Sequence, residues 1–221
     1  MKLYLAIIGH TAAGKESCYI ATKEAFAGKL TVSVHHFSDP LNETIEAINR
    51  ILAKRGLQDR LDKSRPNQQD ISTELRKIFG EDLLGNSLFK RVLADTADII
   101  FLDGVRRPKD VEMLKKLPNS FLGYVYAPLE ETYKRLVIRN DRPGDAEKTW
   151  KEFLAEQAAE AESLIDTLRP IADFGLDNSS HDPGLNKLRI QMICIVNEKL
   201  STFGRCPVGT NLSGTEGTSV A

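Results

Sequence analysis

The chain has 221 residues, 41% hydrophobic and 28% charged, with a formal net charge of -1. That composition describes a globular chain with enough apolar residues for one good core, so one domain with room for insertions is the first expectation. The near-zero charge excludes a nucleic-acid partner of the bulk electrostatic kind, and no apolar stretch approaches the roughly 20 residues that span a bilayer.

The opening "MKLYLAIIG" has one lysine and an apolar run ending in a glycine loop, not in a small-residue cleavage site. It does not read as a signal peptide. Within it, "LYLAII" is short, continuously apolar and bounded by glycine, which predicts a buried parallel strand. Residues 15–27 read as a helix. "LTVSVHHF", from Leu30, alternates and is rich in β-branched residues, as a second strand would be. In "DPLNETIEAINRILAKRG", Ile45, Ile48, Ile51 and Leu52 fall on one helical face and Gly56 is a stop. "LQDRLDKSRP" is polar and reads as a loop. "NQQDISTELRKIFG" is helical again, with Ile71, Leu75 and Ile78 on one side, and "NSLFKRVLADTA" is a helix opened by an Asn of N-cap type.

"DIIFLDG" is a third buried strand, ending in an acid. "PKDVEMLKKL" is a short helix with proline at its start. "FLGYVYA" is a fourth strand, and "PLEETYKRLVIRN" a helix that breaks at "DRPGD". "AEKTWKEFLAEQAAEAESLIDTLRP" reads as one long helical stretch, "IADFGLDNSS" as a fifth strand, and "PGLNKLRIQMICIVNEKL" as the last helix. From about residue 204 the chain is rich in Gly, Ser and Thr and reads as a disordered tail. Strands alternating with helices imply an α/β fold with a parallel sheet covered on both faces. The three cysteines, Cys18, Cys194 and Cys206, form no C-x-x-C pair. Two buried small hydrophobes and one tail thiol, in a reducing cytoplasm, are expected.

Gly9, Gly14 and Lys15 fit G-x-x-x-x-G-K between a buried strand and a helix, the setting a phosphate-binding loop needs. Glycines let successive N–H groups turn toward phosphate oxygens, the helix start adds positive charge, and Lys15 neutralises the β- and γ-phosphates. Glu16 departs from the usual Ser/Thr. Its carboxylate either ligates Mg2+ or caps the helix; Ser17 lies about 100° further round and does not replace it. Asp103, at the end of the third strand, is placed to hold Mg2+ beside such a loop, or caps the helix after it. Of Arg106 and Arg107, one is expected to reach phosphate.

Asp39 ends the second strand at the same edge. It is a base toward a hydroxyl acceptor, an orienting group for a sugar, or a cap. His35 and His36 in that strand read as satisfied core or edge histidines. Arg65 and Arg76 lie in the helical stretch between the second and third strands. Arg135 and Arg139 share a helix face, and Arg142 sits on a Pro-Gly loop able to act as a lid. Guanidinium forks match phosphate, and at least two of these five are expected to touch it.

"GHTAAGKES", "FSDPL", "IIFLDGVRRPKDVEML", "RLVIRNDRPGD" and "ADFGLDNSS" come in order across about residues 1–200. The chain thereby resembles the P-loop nucleoside monophosphate kinase superfamily, in the branch of deoxynucleoside monophosphate and dephospho-coenzyme A kinases. "GKES" is similar to the G-K-D-T form of that branch. The resemblance implies a three-layer P-loop NTPase sandwich with a five-stranded parallel sheet, order 2-3-1-4-5. It also implies an acceptor-binding helical insertion at about 41–96, a lid at about 139–150, and a kinase domain over 1–203. Carried over, Gly9, His10, Thr11, Ala12, Ala13, Gly14, Lys15, Glu16 and Ser17 would hold the ATP phosphates, and Asn178 would lie beside the adenine. Glu16 and Asp103 would serve Mg2+. Lys15, Asp39, Arg106, Arg135 and Arg139 would carry the transfer, with Arg65, Arg76 and Arg142 at the acceptor or its phosphate. "RPNQQDISTELRKIFGEDLL" is similar to deoxynucleotide kinases and "EFLAEQAAEAESL" to dephospho-coenzyme A kinases. The implied protein is a cytoplasmic kinase, monomer or homodimer, that takes a nucleotide-type acceptor and has no nucleic-acid or membrane partner. Asn42 stands where the family often has lysine.

Overall fold

The computed structural model describes residues 2–57, 61–62, 64–141, 144–158, 160–180 and 186–204, less the side chains of 65, 66 and 160–163. Strand β1 (Leu3–Ile8) is buried at every position. Its alternate residues divide between two cores, as a period of two requires. Tyr4, Ala6 and Ile8 face a cluster with Leu88, Val92, Ile165 and Leu168, whereas Leu3, Leu5 and Ile7 face one with Phe26, Leu188, Met192 and Val196. A strand apolar on both faces has helices on both sides, which is why "LYLAII" is continuous and not alternating.

Strands β2 (Val32–His36), β3 (Ile99–Asp103), β4 (Ser120–Tyr126) and β5 (Phe174–Asp177) complete a sheet of order β2-β3-β1-β4-β5, parallel throughout. The layers and strand order are those of the P-loop kinase fold. Helix α1 (Lys15–Ala25) follows β1. Between β2 and β3 run α2 (Asp39–Lys54), α3 (Arg65–Phe79) and α4 (Leu83–Ala94). Helix α5 (Pro108–Leu114) follows β3, and α6 (Leu129–Arg139) follows β4. Then come α7 (Trp150–Gln157), α8 (Glu160–Leu168), a short 3-10 turn (Arg169–Ile171) and, after β5, α9 (Asn186–Thr202). Among the described residues no helix is long and apolar enough to cross a membrane. Residues 205–221, read as a tail, lie outside the described residues.

Several local expectations are corrected. The long helix between the fourth and fifth strands is two helices. Thr149 and Glu152 form a capping box that starts α7 at Trp150, and α7 ends at Gln157 with Ala158 as its C-cap. Neither Gly nor Pro marks that break. Helix α4 starts at Leu83, not at Asn86, because Leu84 and Leu88 are both buried and one turn apart. Gly85 lies inside it, where a Cβ would come 3.3 Å from Met113. On α2 the core face is Leu41 and Ile45, which pack with Leu84, Ile71 and Leu75, while Ile48 and Ile51 are exposed. Ile78 is exposed too, beyond the reach of that cluster. Cys18 is buried, but Cys194 is exposed on α9.

Candidate functional site: a braced glycine loop facing an acid-ended strand

Strand β1 delivers the chain to Gly9 beside the end of β3, since Ile7 pairs with Asp103. At Gly9 a Cβ would sit 2.6 Å from the Val125 carbonyl oxygen, so only glycine lets the loop pass this close to β4. At Gly14, φ is 109° and a Cβ would meet Asn178 Nδ2 at 2.6 Å. Ala12 takes the left-handed conformation without being glycine, with φ at 60°. Gly14 is also the N-cap of α1 and has no side chain to cap it, which leaves the helix start open to an anion.

The expected site residues in the loop divide by role. Lys15 Nζ donates to the carbonyls of Gly9 at 2.7 Å and His10 at 2.9 Å, so its ammonium lies across its own loop. Asn178 was placed beside adenine by resemblance. In the structure its side chain is buried and Nδ2 donates to the Ala13 carbonyl at 2.7 Å, bracing the loop from β5. Thr11 and Ala13 are buried; Ser17 is half-buried. His10 turns to α7 and α8, with Nδ1 3.1 Å from Gln157 Oε1 and Nε2 3.2 Å from Asp166 Oδ1. Glu16 is in the first turn of α1 with its side chain 70% exposed, and its carboxylate lies 3.9 Å from Arg139 Nη1.

Opposite the loop, Asp103 is 40% exposed and accepts a 3.1 Å contact from His36 Nδ1. Burial pushes its carboxyl up, but the His36 hydrogen bond and the charges of Lys15, His36 and Arg106 outweigh this. It therefore titrates below the ordinary carboxylate value. The hydrogen bond to Asp103 raises His36 above its ordinary value against the opposing effect of burial, with help from the charges of Asp103, Asp39 and Glu16. The β2–β3 register, His36 opposite Asp103, creates this pair. Asp39 opens α2, and its Oδ2 accepts the His36 N–H at 3.0 Å. His35 faces the other way and shares Asp95 Oδ2 with Ser33, at 2.7 and 2.6 Å. Among the described residues no three His, Cys, Asp or Glu are grouped to hold a metal. A half-exposed carboxylate beside a glycine loop and an open helix start nevertheless suits Mg2+, which takes one or two carboxylates and completes its shell with other oxygen ligands.

The arginines do not converge as one set. Arg76 is buried, 6% exposed. Its Nη1 donates to the Glu81 carbonyl, its Nη2 lies 3.7 Å from Asp110 Oδ1, and its Nε has no hydrogen-bond partner among the described residues. Its guanidinium is thus engaged within the protein. Asp110 is buried as well, and its Oδ2 accepts the backbone N–H groups of Arg106 and Arg107, each at 3.1 Å. Burial raises the Asp110 carboxyl in spite of those bonds. Arg106 is half-buried and close enough to Asp103 for its charge to act there. Arg135 Nη2 donates to the carbonyls of Asn178 at 3.1 Å and Ser180 at 3.3 Å, and its buried Nη1 has no hydrogen-bond partner among the described residues. Arg139 Nε pairs with Asp141 at 2.5 Å. Arg65 opens α3, but its side chain, like the whole of Arg142, lies outside the described residues.

Gln157 and Asp166 meet His10 from a distant segment, and no local spacing signals that. His36, expected as a satisfied histidine, finds Asp103 only through the strand register, and Asp110 holds the nearby N–H groups of Arg106 and Arg107 as well as the distant Arg76. A cavity of ≈ 420 Å³ lies elsewhere, at the β4–β5 edge, lined by Tyr124, Tyr126, Arg169, Phe174 and Gln191 among others.

No protein-family model matches the chain. A UPF0200 protein of Staphylothermus marinus is 24% identical over 179 residues, covering 80% of this chain and 85% of its own length. A UPF0200 protein of Hyperthermus butylicus is 27% identical over 112 residues, covering 51% of this chain and 59% of its own. Among solved structures, TT1252 of Thermus thermophilus aligns with a TM-score of 0.55 and 19% identity, over 89% of this chain and 97% of that one. Shikimate kinase of Bacteroides thetaiotaomicron aligns with a TM-score of 0.51 and 14% identity, over 90% and 98%. At these identities the likeness is one of fold.

Proposed function

We propose that the chain is an ATP- and Mg2+-dependent phosphotransferase whose acceptor is a nucleotide-type small molecule, in the first place a (deoxy)nucleoside monophosphate. One observation carries this reading: a glycine loop braced between β1 and α1 faces the ionised Asp103 across one strand register. The loop amides and the start of α1 bind the ATP phosphates. Lys15 leaves the Gly9 and His10 carbonyls to neutralise the β- and γ-phosphates. Asp103 and Glu16 are the carboxylates that would hold Mg2+, which would supply positive charge to offset that of the phosphates. The bond from the γ-phosphorus to the β-bridging oxygen breaks as a bond to the acceptor oxygen forms, and ADP leaves. Arg106, Arg135 and Arg139 are the guanidiniums available to stabilise the charge on the transferring group.

A second reading is a hydroxyl acceptor, as in dephospho-coenzyme A kinases. It draws on Arg76, whose burial against Asp110 takes one guanidinium away from any acceptor phosphate, while Asp39 stands at the same sheet edge as Asp103. Asp39 would there take the hydroxyl proton. A third reading, nucleotide binding without transfer, rests on Glu16 where a hydroxyl is usual. ADP release from ATP·Mg2+ across a panel of nucleoside monophosphates and dephospho-coenzyme A separates the three. A monophosphate that stimulates release supports the first, and dephospho-coenzyme A alone supports the second. If no acceptor raises release above background, both transfer readings fail. Binding of ATP without turnover leaves the third.

A further inference from the structure

His10 occupies the second position of the phosphate loop, yet its side chain serves helices far away in sequence. Nδ1 lies 3.1 Å from Gln157 Oε1 on α7 and Nε2 lies 3.2 Å from Asp166 Oδ1 on α8. The imidazole is only 15% exposed and Gln157 is buried. Helix α7 is in turn joined to α6 by an aromatic cluster. Tyr133 of α6 meets Trp150 at 5.2 Å and Phe153 at 5.5 Å between ring centroids, and Trp150 stacks on Phe153 at 5.5 Å. The Tyr133 hydroxyl also donates to the Lys148 carbonyl at 2.8 Å. Helix α6 carries Arg135 and Arg139. Arg135 donates to the Asn178 carbonyl, and Asn178 donates to the Ala13 carbonyl at the far end of the loop.

These contacts close a ring. The loop is held near its start by α7 through His10 and near its end by α6 through Arg135 and Asn178, and α6 and α7 are packed together. We infer that His10 and Gln157 are positioning residues, a strut that makes α6 and α7 one body with the phosphate loop and so sets where Arg135 and Arg139 stand relative to bound phosphate. The inference rests on the phosphate-loop reading for its use, but the strut itself is a property of the free protein. It departs from a purely local role for Gln157, in which the buried amide only stabilises α7.

Amide hydrogen exchange on the full chain tests the strut without nucleotide. Gln157→Leu removes the acceptor, and exchange at residues 9–14 is expected to rise about three- to tenfold, the range of one lost hydrogen bond. Gln157→Glu keeps an acceptor oxygen for Nδ1 and should return exchange to the wild-type value. If Gln157→Leu lowers Tm but leaves exchange at 9–14 unchanged, the strut is refuted. Should that variant fail to fold, His10→Ala asks the same question from the other end: exchange at 150–157 must rise about threefold or more, and no rise refutes the strut. With ATP·Mg2+, Gln157→Leu should weaken binding about three- to tenfold, and adding it to His10→Ala should cost nothing further. Additive losses count against the strut. A wild type that binds no ATP refutes the kinase reading, and the exchange experiment still decides the strut.

Discussion

Around the glycine loop, backbone geometry decides the residue at Gly9 and Gly14. A Cβ on Gly9 would lie 2.6 Å from the Val125 carbonyl oxygen, one on Gly14 would lie 2.6 Å from Asn178 Nδ2, and the Asn178 amide holds Ala13. Across the sheet edge, the helices between β2 and β3 follow other rules. They leave Ile51 and Ile78 in solvent and use a buried guanidinium, Arg76, against Asp110 and Glu81. The glycine loop is fixed by close approach to backbone and amide groups of β4 and the end of β5, and the helices between β2 and β3 by tertiary pairing of charges. A loop that must cradle phosphate tolerates few alternatives. An insertion can present different acceptor contacts on the same frame, so similarity of fold says little about its substrate.

The largest effect that can break this contrast is at Arg76. Arg76→Ala should cost about 3 kcal/mol of stability, because it strands the buried Asp110 carboxyl, as a lower denaturation midpoint would report. A variant of normal stability with a raised acceptor KM would return Arg76 to the acceptor site. Next comes Lys15→Ala, which should lower ATP affinity about a hundredfold by calorimetry while leaving the fold intact. Unchanged affinity would mean that the loop is a turn and nothing more. Gly14→Ala should cost about 2 kcal/mol, from the left-handed φ and the contact with Asn178, and should be read as a drop in Tm. If it is neutral, the brace at Asn178 is slack.

The smallest effect lies where the two regions meet, at His36 and Asp103. His36 is raised above 6.5, so its contribution is complete below that pH and is lost as pH rises through its folded value. Asp103 is lowered below 3.8, so its contribution is present above that pH and is lost as pH falls through its folded value. Their pairing therefore adds most between those limits. With the two side chains 44% and 40% exposed, solvent screening holds it to about 0.5 kcal/mol. Denaturation midpoints at about pH 6 and about pH 8.5 should show wild type losing that increment and His36→Asn losing none.

Much of the strand, glycine loop and helix start was legible in the sequence because its determinants are contiguous. Six apolar residues, a glycine spacing and a lysine specify strand, loop and helix start, and "IIFLDG" supplies the acid. Strand order and the residue facing Asp103 were not readable from spacing alone. The order came by resemblance, and His36 meets Asp103 only through the β2–β3 register. The breaks around α7 and the burial of Arg76 were missed for a related reason. A helical pattern shows which face is apolar, but not which buried acid, here Asp110, is waiting to draw a cation inside. The resemblance singles out Asn178, but nothing in "DNSS" shows that its amide points back to residue 13.

The central claim is that nucleotide phosphates bind in the loop from Gly9 to Ser17. Amide exchange of the wild-type chain with and without ATP·Mg2+ tests it most directly. Protection concentrated at 9–17, with a second protected point at 178, is the expected result. Protection confined to 124–126 and 169–177, around the cavity at the β4–β5 edge, or no protection anywhere, would contradict it.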